Sequence, residues 1–129
     1  MDIKEPAAGK FGKSVVGSTS TASDAYINLT TLPITSSVDT RYLIANTALD
    51  SRADAAGRGC VYGLFINGNE ITSAVQQSNN TNFQTTANII TIETIPAGSA
   101  VPVEIRFRRL TAFDLCISDN GVFSVVPLE

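Results

Sequence analysis

The sequence contains no histidine, and this absence removes a large part of enzyme chemistry. A Ser-His-Asp triad or a Cys-His pair cannot be assembled, and no imidazole is available to ligate a metal. A zinc site would also need more ligands than the two cysteines supply. We therefore expect a protein that is not an enzyme, with no cofactor, no metal and no small-molecule substrate.

Positive charge and long apolar runs are scarce as well. The net charge is −3, whereas contacts to nucleic-acid phosphates need clustered basic residues. No apolar run approaches the roughly 20 residues of a membrane-spanning helix, and the N-terminus lacks the apolar stretch of a secretory signal. These features predict a chain that is made in the cytoplasm and used without export, with neither nucleic acid nor membrane as a partner.

Cysteine is limited to Cys60 and Cys116, both inside apolar runs. In a cytoplasmic protein we expect reduced, buried thiols that behave as small hydrophobic side chains. A disulfide between the two residues is the less favoured alternative. Cysteines on two strands can face each other, but their spacing in the sequence does not show whether they do.

What the sequence does contain is a series of short apolar stretches separated by Gly, Pro and Asn. Asn67-Gly68 follows the apolar stretch 59–66 and predicts a tight turn into an antiparallel partner at 70–75. Seven or eight such strands in one chain of 129 residues predict an all-β fold, an antiparallel β-sandwich. The other expected elements are strands at 26–29 (closed by Pro33), 39–49, 85–95, 101–110, 115–117 and 122–128, a tight turn at 119–121, and one helical turn at 53–57.

Residues 1–24 differ in composition from the rest of the chain. They are rich in Gly, Ser, Thr and Ala, contain every lysine of the protein, and offer little to bury. This composition predicts an extended N-terminal arm, with residues 25–129 as a single sandwich domain. The arm is either a loose terminus or a segment that becomes ordered on a neighbouring protein. In the second case its contact residues are Lys4, Lys10, Phe11 and Lys13.

Apolar and charged residues alternate along 101–109, which end in three arginines within four positions. The period of two directs one set toward the core and the other toward solvent or a neighbour. Arg109 breaks the alternation and predicts a bulge or the end of the strand. The core set is Val101, Val103, Ile105 and Phe107, expected to pack with Leu43 or Ile44, Leu64 or Ile66, and Ile90 or Ile92.

The outward set is Glu104, Arg106 and Arg108. The favoured interpretation is a solvated face whose charges form weak ion pairs with Glu93 or Asp39 of an adjacent strand. The alternative is a subunit or partner contact made by Arg106, Arg108 and Arg109, since arginine is enriched at interfaces. Phosphate binding is the least favoured of the three.

Four segments occur in an order that resembles a known class of proteins. They are YLIAN at 42–46, GLFINGNE at 63–70, PVEIRFR at 102–108 and GVFSVVPL at 121–128. In this order they resemble the small jelly-roll virion proteins of tailed bacteriophages, which are similar to the TNF/C1q trimer fold. The resemblance covers residues 38–129.

This resemblance implies a non-enzymatic structural protein of the virion, one that forms a homotrimer. In one role such a domain is a capsid decoration or cement protein that bridges subunits of the phage major capsid protein. The alternative role is the receptor- or glycan-binding head of a tail fibre or spike. A short chain with an arm favours decoration. A sugar site would favour exposed aromatic rings, yet the chain has no Trp, and its three Tyr lie in predicted strands.

Overall fold

The computed structural model describes residues 12–16, 19–53, 59–77, 85–110 and 116–128. These residues form β-strands whose pairings are all antiparallel. The strands are β1 (Gly12–Val16), β2 (Thr19–Thr21), β3 (Ile27–Ser36), β4 (Thr40–Ala53), β5 (Gly59–Ile66), β6 (Asn69–Gln77), β7 (Thr85–Ile95), β8 (Gly98–Arg109) and β9 (Cys116–Pro127).

The strands form two sheets. Sheet 1 has the order β1-β9-β4-β7, with β2 also paired to β9, and sheet 2 has the order β3-β8-β5-β6. From β2 onward the chain passes from one sheet to the other after every strand, except at the β5–β6 hairpin. The prediction of an all-β, antiparallel, jelly-roll-like sandwich is therefore confirmed.

The core lies between the inward faces of the two sheets. The alternation along β8 predicted this correctly, because Val103, Ile105 and Phe107 are fully buried while the residues between them are not. The ring of Phe107 stacks on that of Tyr62, with centroids 6.0 Å apart. The cluster of buried apolar side chains comprises Ile34, Tyr42, Ile44, Cys60, Tyr62, Leu64, Ile66, Ile89, Ile95, Val101, Val103, Ile105, Phe107, Cys116, Phe123 and Val125.

The tight turn between β5 and β6 is also confirmed. Asn67 and Gly68 have φ angles of 53° and 83°. Positive φ at both central residues is what a two-residue hairpin turn needs, and Asn followed by Gly adopts it with little strain. β6 then runs antiparallel to β5 from Asn69 onward.

The assignment of faces in β7 is wrong. Ile90 and Ile92 are 69% and 55% exposed, whereas Ile89 and Ile95 are buried. Isoleucine occupies both faces of this strand, so its periodicity does not identify the inward one. In β4 the sequence left open whether Leu43 or Ile44 is buried, and the structure shows that the buried residue is Ile44.

Two predicted strand ends are also wrong. Pro33 lies within β3, paired with Pro102, and does not close the strand. This position tolerates proline because β3 is an edge strand of sheet 2, where one side of the backbone has no partner strand. The turn expected at 119–121 is part of the continuous strand β9, in which Gly121 pairs with Ala48. β4 extends to Ala53, and residues 54–57 of the expected helical turn lie outside the described residues.

Part of the predicted arm belongs to the sandwich. Residues of β1 pair with β9 from Gly12↔Val125 to Val16↔Gly121, and β2 pairs with β9 through Thr21↔Cys116. Strand β9 would otherwise present unpaired backbone groups along this edge, and an extended segment satisfies them. Residues 1–11 lie outside the described residues, so for them the arm stays a prediction.

The cysteines form a disulfide, and the expectation of reduced thiols is wrong. Cys60 on β5 and Cys116 on β9 are both fully buried, with Cα atoms 5.3 Å apart. The bond joins sheet 2 to sheet 1 across the core. The sequence could not show this, since the alignment of the two strand ends is a property of the packed sandwich.

Candidate functional site

Two of the three arginines predicted as partner contacts, Arg106 and Arg108, lie on the outward face of sheet 2. Arg106 donates from Nη2 to Glu104 Oε1 at 2.8 Å, along the same strand. The expected cross-strand partners are elsewhere. Glu93 belongs to β7 of sheet 1, and the Asp39 carboxylate accepts a hydrogen bond from the Ala97 N–H. A partly exposed pair of this kind contributes about 0–1 kcal/mol to stability.

Two aromatic rings extend this face. The guanidinium carbon of Arg106 lies 4.2 Å from the Phe65 ring centroid, and that of Arg108 lies 5.2 Å from the Tyr26 ring centroid. Tyr26 and Phe65 meet edge-on with centroids 5.1 Å apart. Gly63 makes room for them, because a Cβ there would lie 2.8 Å from Phe65 Cε1. These contacts bury Phe65 although its side chain points away from the core.

The pKa of the Tyr26 phenol depends both on its burial and on its charged neighbours. Burial raises the pKa of this phenol, and the carboxylate of Glu70 raises it further, while the positive charge of Arg108 opposes the rise. The ring lies just before β3 begins at Ile27, not inside a strand as the sequence predicted. Tyr26 is therefore held as part of the arginine and aromatic cluster, and its packed ring faces are not open platforms for a sugar ring.

Arg109 ends β8, as the break in alternation predicted. Its side chain donates from Nε to Asp24 Oδ1 at 2.7 Å, and its backbone N–H donates to the Ser23 carbonyl at 3.1 Å. The hydrogen bond from Arg109 lowers the pKa of the Asp24 carboxyl. These bonds fasten the segment that leads from sheet 1 into sheet 2.

Each of the three arginines is thus engaged within its own chain. Arg106 and Arg108 lie against aromatic rings, and Arg106 and Arg109 pair with carboxylates. A bound anion would have to compete with these carboxylates for the guanidinium groups. The role of the arginines in a partner contact stays a prediction. Arg106 and Arg108 cover the outward face of sheet 2, and Arg109 fastens the segment before β3.

The basic residues of the arm are divided between two regions. Lys4, Lys10 and Phe11 lie outside the described residues. Lys13 belongs to β1, where its backbone lies opposite Ser124, and its side chain is outside the described part of the structure. Their proposed contacts are therefore a matter for experiment.

A second surface, which the sequence did not predict, lies on the outward side of sheet 1. Leu43 pairs with Ile92 on one side and with Val126 on the other, so these three side chains form a row across β7, β4 and β9. Ile90 lies beside this row and is 69% exposed. We call Leu43, Ile90, Ile92 and Val126 the apolar face. The sequence signal of this surface is the presence of isoleucine on both sides of β7. The predicted core wrongly included Ile90 or Ile92.

Charge is scarce on the apolar face. Among the outward side chains that the structure describes on sheet 1, Arg41 alone is charged, and it lies in the row beyond Leu43, opposite Thr94. Scattered apolar residues on a surface need no explanation, but a contiguous set marks a site of interaction. The apolar face is therefore the candidate interaction site on sheet 1.

Metal ligands and membrane-spanning helices are two further features that bear on function in the described ranges. Within them, no group of three or more His, Cys, Asp or Glu side chains is placed to hold a metal ion. The same ranges contain no helix that is long and apolar enough to cross a membrane.

Known proteins resemble this chain in structure but not in sequence. No protein-family model matches it, and no curated protein does. Among solved structures, VP2 of infectious bursal disease virus, determined as a subviral particle, aligns over 92% of this chain with a TM-score of 0.58 and 9% identity. The structure of the Gx strain of that virus aligns over 91%, with a TM-score of 0.60 and 7% identity. Eiger TNF from S. frugiperda aligns over 90%, with a TM-score of 0.54 and 10% identity.

The extent of these matches differs. The chain corresponds to 33% and 31% of the two viral chains but to 92% of the Eiger chain. At identities of 10% and below, the similarity establishes a common fold and leaves activity and partners open. The fold of this chain is therefore a jelly-roll β-sandwich of the kind found in a virus particle protein and in a TNF protein.

Proposed function

We propose that this chain is a structural protein of a virion, a decoration or cement protein that forms a homotrimer and bridges subunits of the capsid of a tailed phage. The exposed apolar face of sheet 1 is the observation that carries the proposal. The fold shared with a virus particle protein and the order of motifs in the sequence support it. The function requires shape, stability and contact surfaces, and no catalytic group.

The apolar face is assigned to contacts between copies of the chain. Leu43, Ile90 and Ile92 offer burial of apolar area but little charge to distinguish one foreign protein from another. Another copy of the chain supplies a matching apolar surface at the same concentration. Val126 makes the face continuous with β9, whose last residues, 122–128, are mostly apolar. The resemblance to TNF-like trimers sets the expected number of copies at three.

Replacing Ile92 by Asp is expected to convert the trimer into a monomer. The side chain is 55% exposed, so the fold tolerates a charge there, but burial of an unpaired carboxylate in the subunit contact is strongly unfavourable. Light scattering should give about three times the 13.6 kDa of one chain for the natural protein and a single chain for the variant. Val75→Asp, at an equally exposed position on sheet 2, is the control and should keep the trimer mass. A natural protein that is monomeric at micromolar concentration would refute the trimer.

Attachment to the capsid is assigned in part to residues 1–11. They contain Lys4 and Lys10 beside Asp2 and Glu5, and the two lysines are assigned to acidic groups on the capsid. The entropy cost of fixing this segment in one conformation would be offset only by its contacts with the capsid.

Deletion of residues 1–11 is expected to weaken capsid binding while leaving the sandwich intact, because β1 begins at Gly12. Binding should also become less sensitive to salt, since exposed charges more than ~10 Å apart are largely screened at 0.1 M salt. Replacing Lys4, Lys10 and Lys13 together by Gln should reproduce the change in salt dependence, and Phe11→Ala should weaken binding without it. Sedimentation with capsids that lack the protein is the measurement. Undiminished binding of the truncated chain would remove the arm from the mechanism.

A further inference from the structure

The disulfide is closed to dissolved reagents in the folded chain. Cys60 and Cys116 are both 0% exposed. Thiol–disulfide exchange needs a thiolate in direct contact with one of the two sulfur atoms. The bond can therefore react only when a neighbouring part of the sandwich opens, and the part that opens at the lowest cost sets the rate.

The strands that flank the two cysteines differ in length. Cys116 on β9 lies between β2 and β4, and Cys60 on β5 lies between β6 and β8. Strands β4, β6 and β8 contain 14, 9 and 12 residues, whereas β2 contains 3, which pair with β9 at residues 116–118. Fewer backbone hydrogen bonds have to break for β2 to separate than for the other flanking strands, so β2 is the favoured place for local opening.

Residues 21–26, which we call the strap, join the immediate neighbours of the two cysteines. Thr21 lies opposite Cys116 in sheet 1, and Arg109 lies opposite Cys60 in sheet 2. Residues directly opposite each other in an antiparallel pair share a face, so Thr21 and Arg109 are on the inward side with the cysteines. The strap leaves sheet 1 at Thr21 and is bonded to Arg109 in sheet 2. It therefore passes beside the disulfide from one sheet to the other.

The contacts that hold the strap are mostly polar. Within the strap, which lies wholly in the described ranges, only Thr21 is buried. The Arg109 N–H donates to the Ser23 carbonyl at 3.1 Å, and Arg109 Nε donates to Asp24 Oδ1 at 2.7 Å. The Ser23 N–H donates in turn to Thr21 Oγ1 at 3.1 Å. Because the strap buries little apolar surface, it can open while the core between the sheets stays packed.

We propose that the strap controls the redox chemistry of the disulfide, since it opens locally together with β2 and admits a small dithiol while the rest of the sandwich stays folded. One thiolate of the dithiol attacks a cysteine sulfur and forms a mixed disulfide, and the other cysteine leaves as a thiolate that takes a proton from water. The second thiolate of the dithiol then displaces the first cysteine and closes the reagent's own disulfide. Both cysteines end as thiols, and two electrons pass from the dithiol to the protein. This inference does not depend on the proposed function.

The test compares the initial rates at which dithiothreitol reduces Asp24→Ala and Glu104→Ala. Each substitution removes one carboxylate that pairs with an arginine of β8, at 2.7 and 2.8 Å, but only Asp24 belongs to the strap. The loss of one negative charge affects the approach of the thiolate reagent similarly in both variants. Asp24→Ala should react about two to five times faster, because its strap opens without breaking the bond to Arg109, and Glu104→Ala should react like the natural protein. Alkylation of the released thiols followed by mass spectrometry gives the rates.

A second measurement separates local opening from unfolding of the whole chain. Below the unfolding transition, the reduction rate of the natural protein should change little with urea, because opening of a short segment exposes little surface. A rate that rises with urea as steeply as the unfolding equilibrium would show that the disulfide reacts only in the unfolded chain, and the inference would be overturned. It would equally fail if Asp24→Ala is reduced less than about twofold faster than Glu104→Ala.

Discussion

Phe107→Ala is expected to lower the free energy of unfolding by about 3–5 kcal/mol, as large-to-small changes in packed cores generally do. Phe107 is fully buried between the two sheets and stacks on Tyr62 with ring centroids 6.0 Å apart. It pairs with Ile27 on one side and Tyr62 on the other, so the cavity would lie where β8 joins its neighbours β3 and β5. Strands on both sides restrict collapse into that cavity.

The measurement is denaturant unfolding of the natural protein and the variant at equal protein concentration, because assembly makes the apparent stability depend on concentration. Val75→Ala is the control. It removes a largely exposed side chain on sheet 2 and should change the stability by about 0.5 kcal/mol or less. A loss below 1 kcal/mol for Phe107→Ala would contradict the position of the core.

Loss of the disulfide is expected to lower stability by about 4 kcal/mol. Cys60 and Cys116 are separated by 56 residues in the sequence, and closing a loop of this length in the unfolded chain gives roughly this value in the chain-entropy account. For a domain of ordinary stability, about 5–15 kcal/mol, the bond is then a large share of the total. It is expected to matter more to this protein than any of its surface ion pairs.

Cys60→Ala combined with Cys116→Ala tests this prediction. The natural protein, unfolded and refolded in a reductant, provides a comparison in which the side-chain volumes are retained. Both forms should unfold at lower denaturant concentration than the oxidised protein, by a similar amount. If the reduced natural protein is as stable as the oxidised one, the bond does not stabilise the sandwich.

The sequence predicted those features that depend on local pattern. Alternation along β8 assigned Val103, Ile105 and Phe107 to the core because polar residues separate them. Asn67-Gly68 predicted the β5–β6 hairpin because few other dipeptides adopt two successive positive φ angles readily. In both cases a few neighbouring residues contain the information.

Features that depend on the packing of distant segments were missed. The disulfide requires β5 and β9 to begin at the same place in opposite sheets. Tyr26 meets Phe65 and Arg108 only because the segment before β3 crosses the outward side of sheet 2. The apolar face was missed for another reason, since Ile89, Ile90, Ile92 and Ile95 place the same residue type on both sides of β7 and only the packed sheets distinguish them.

Sedimentation of the purified protein with two targets tests the central proposal most directly. One target is expanded capsids that lack the protein, and the other is whole host cells. A capsid decoration protein should bind the capsids saturably and leave the cells unbound. Binding to host cells and not to capsids would contradict the proposal and assign the chain to a receptor-binding head.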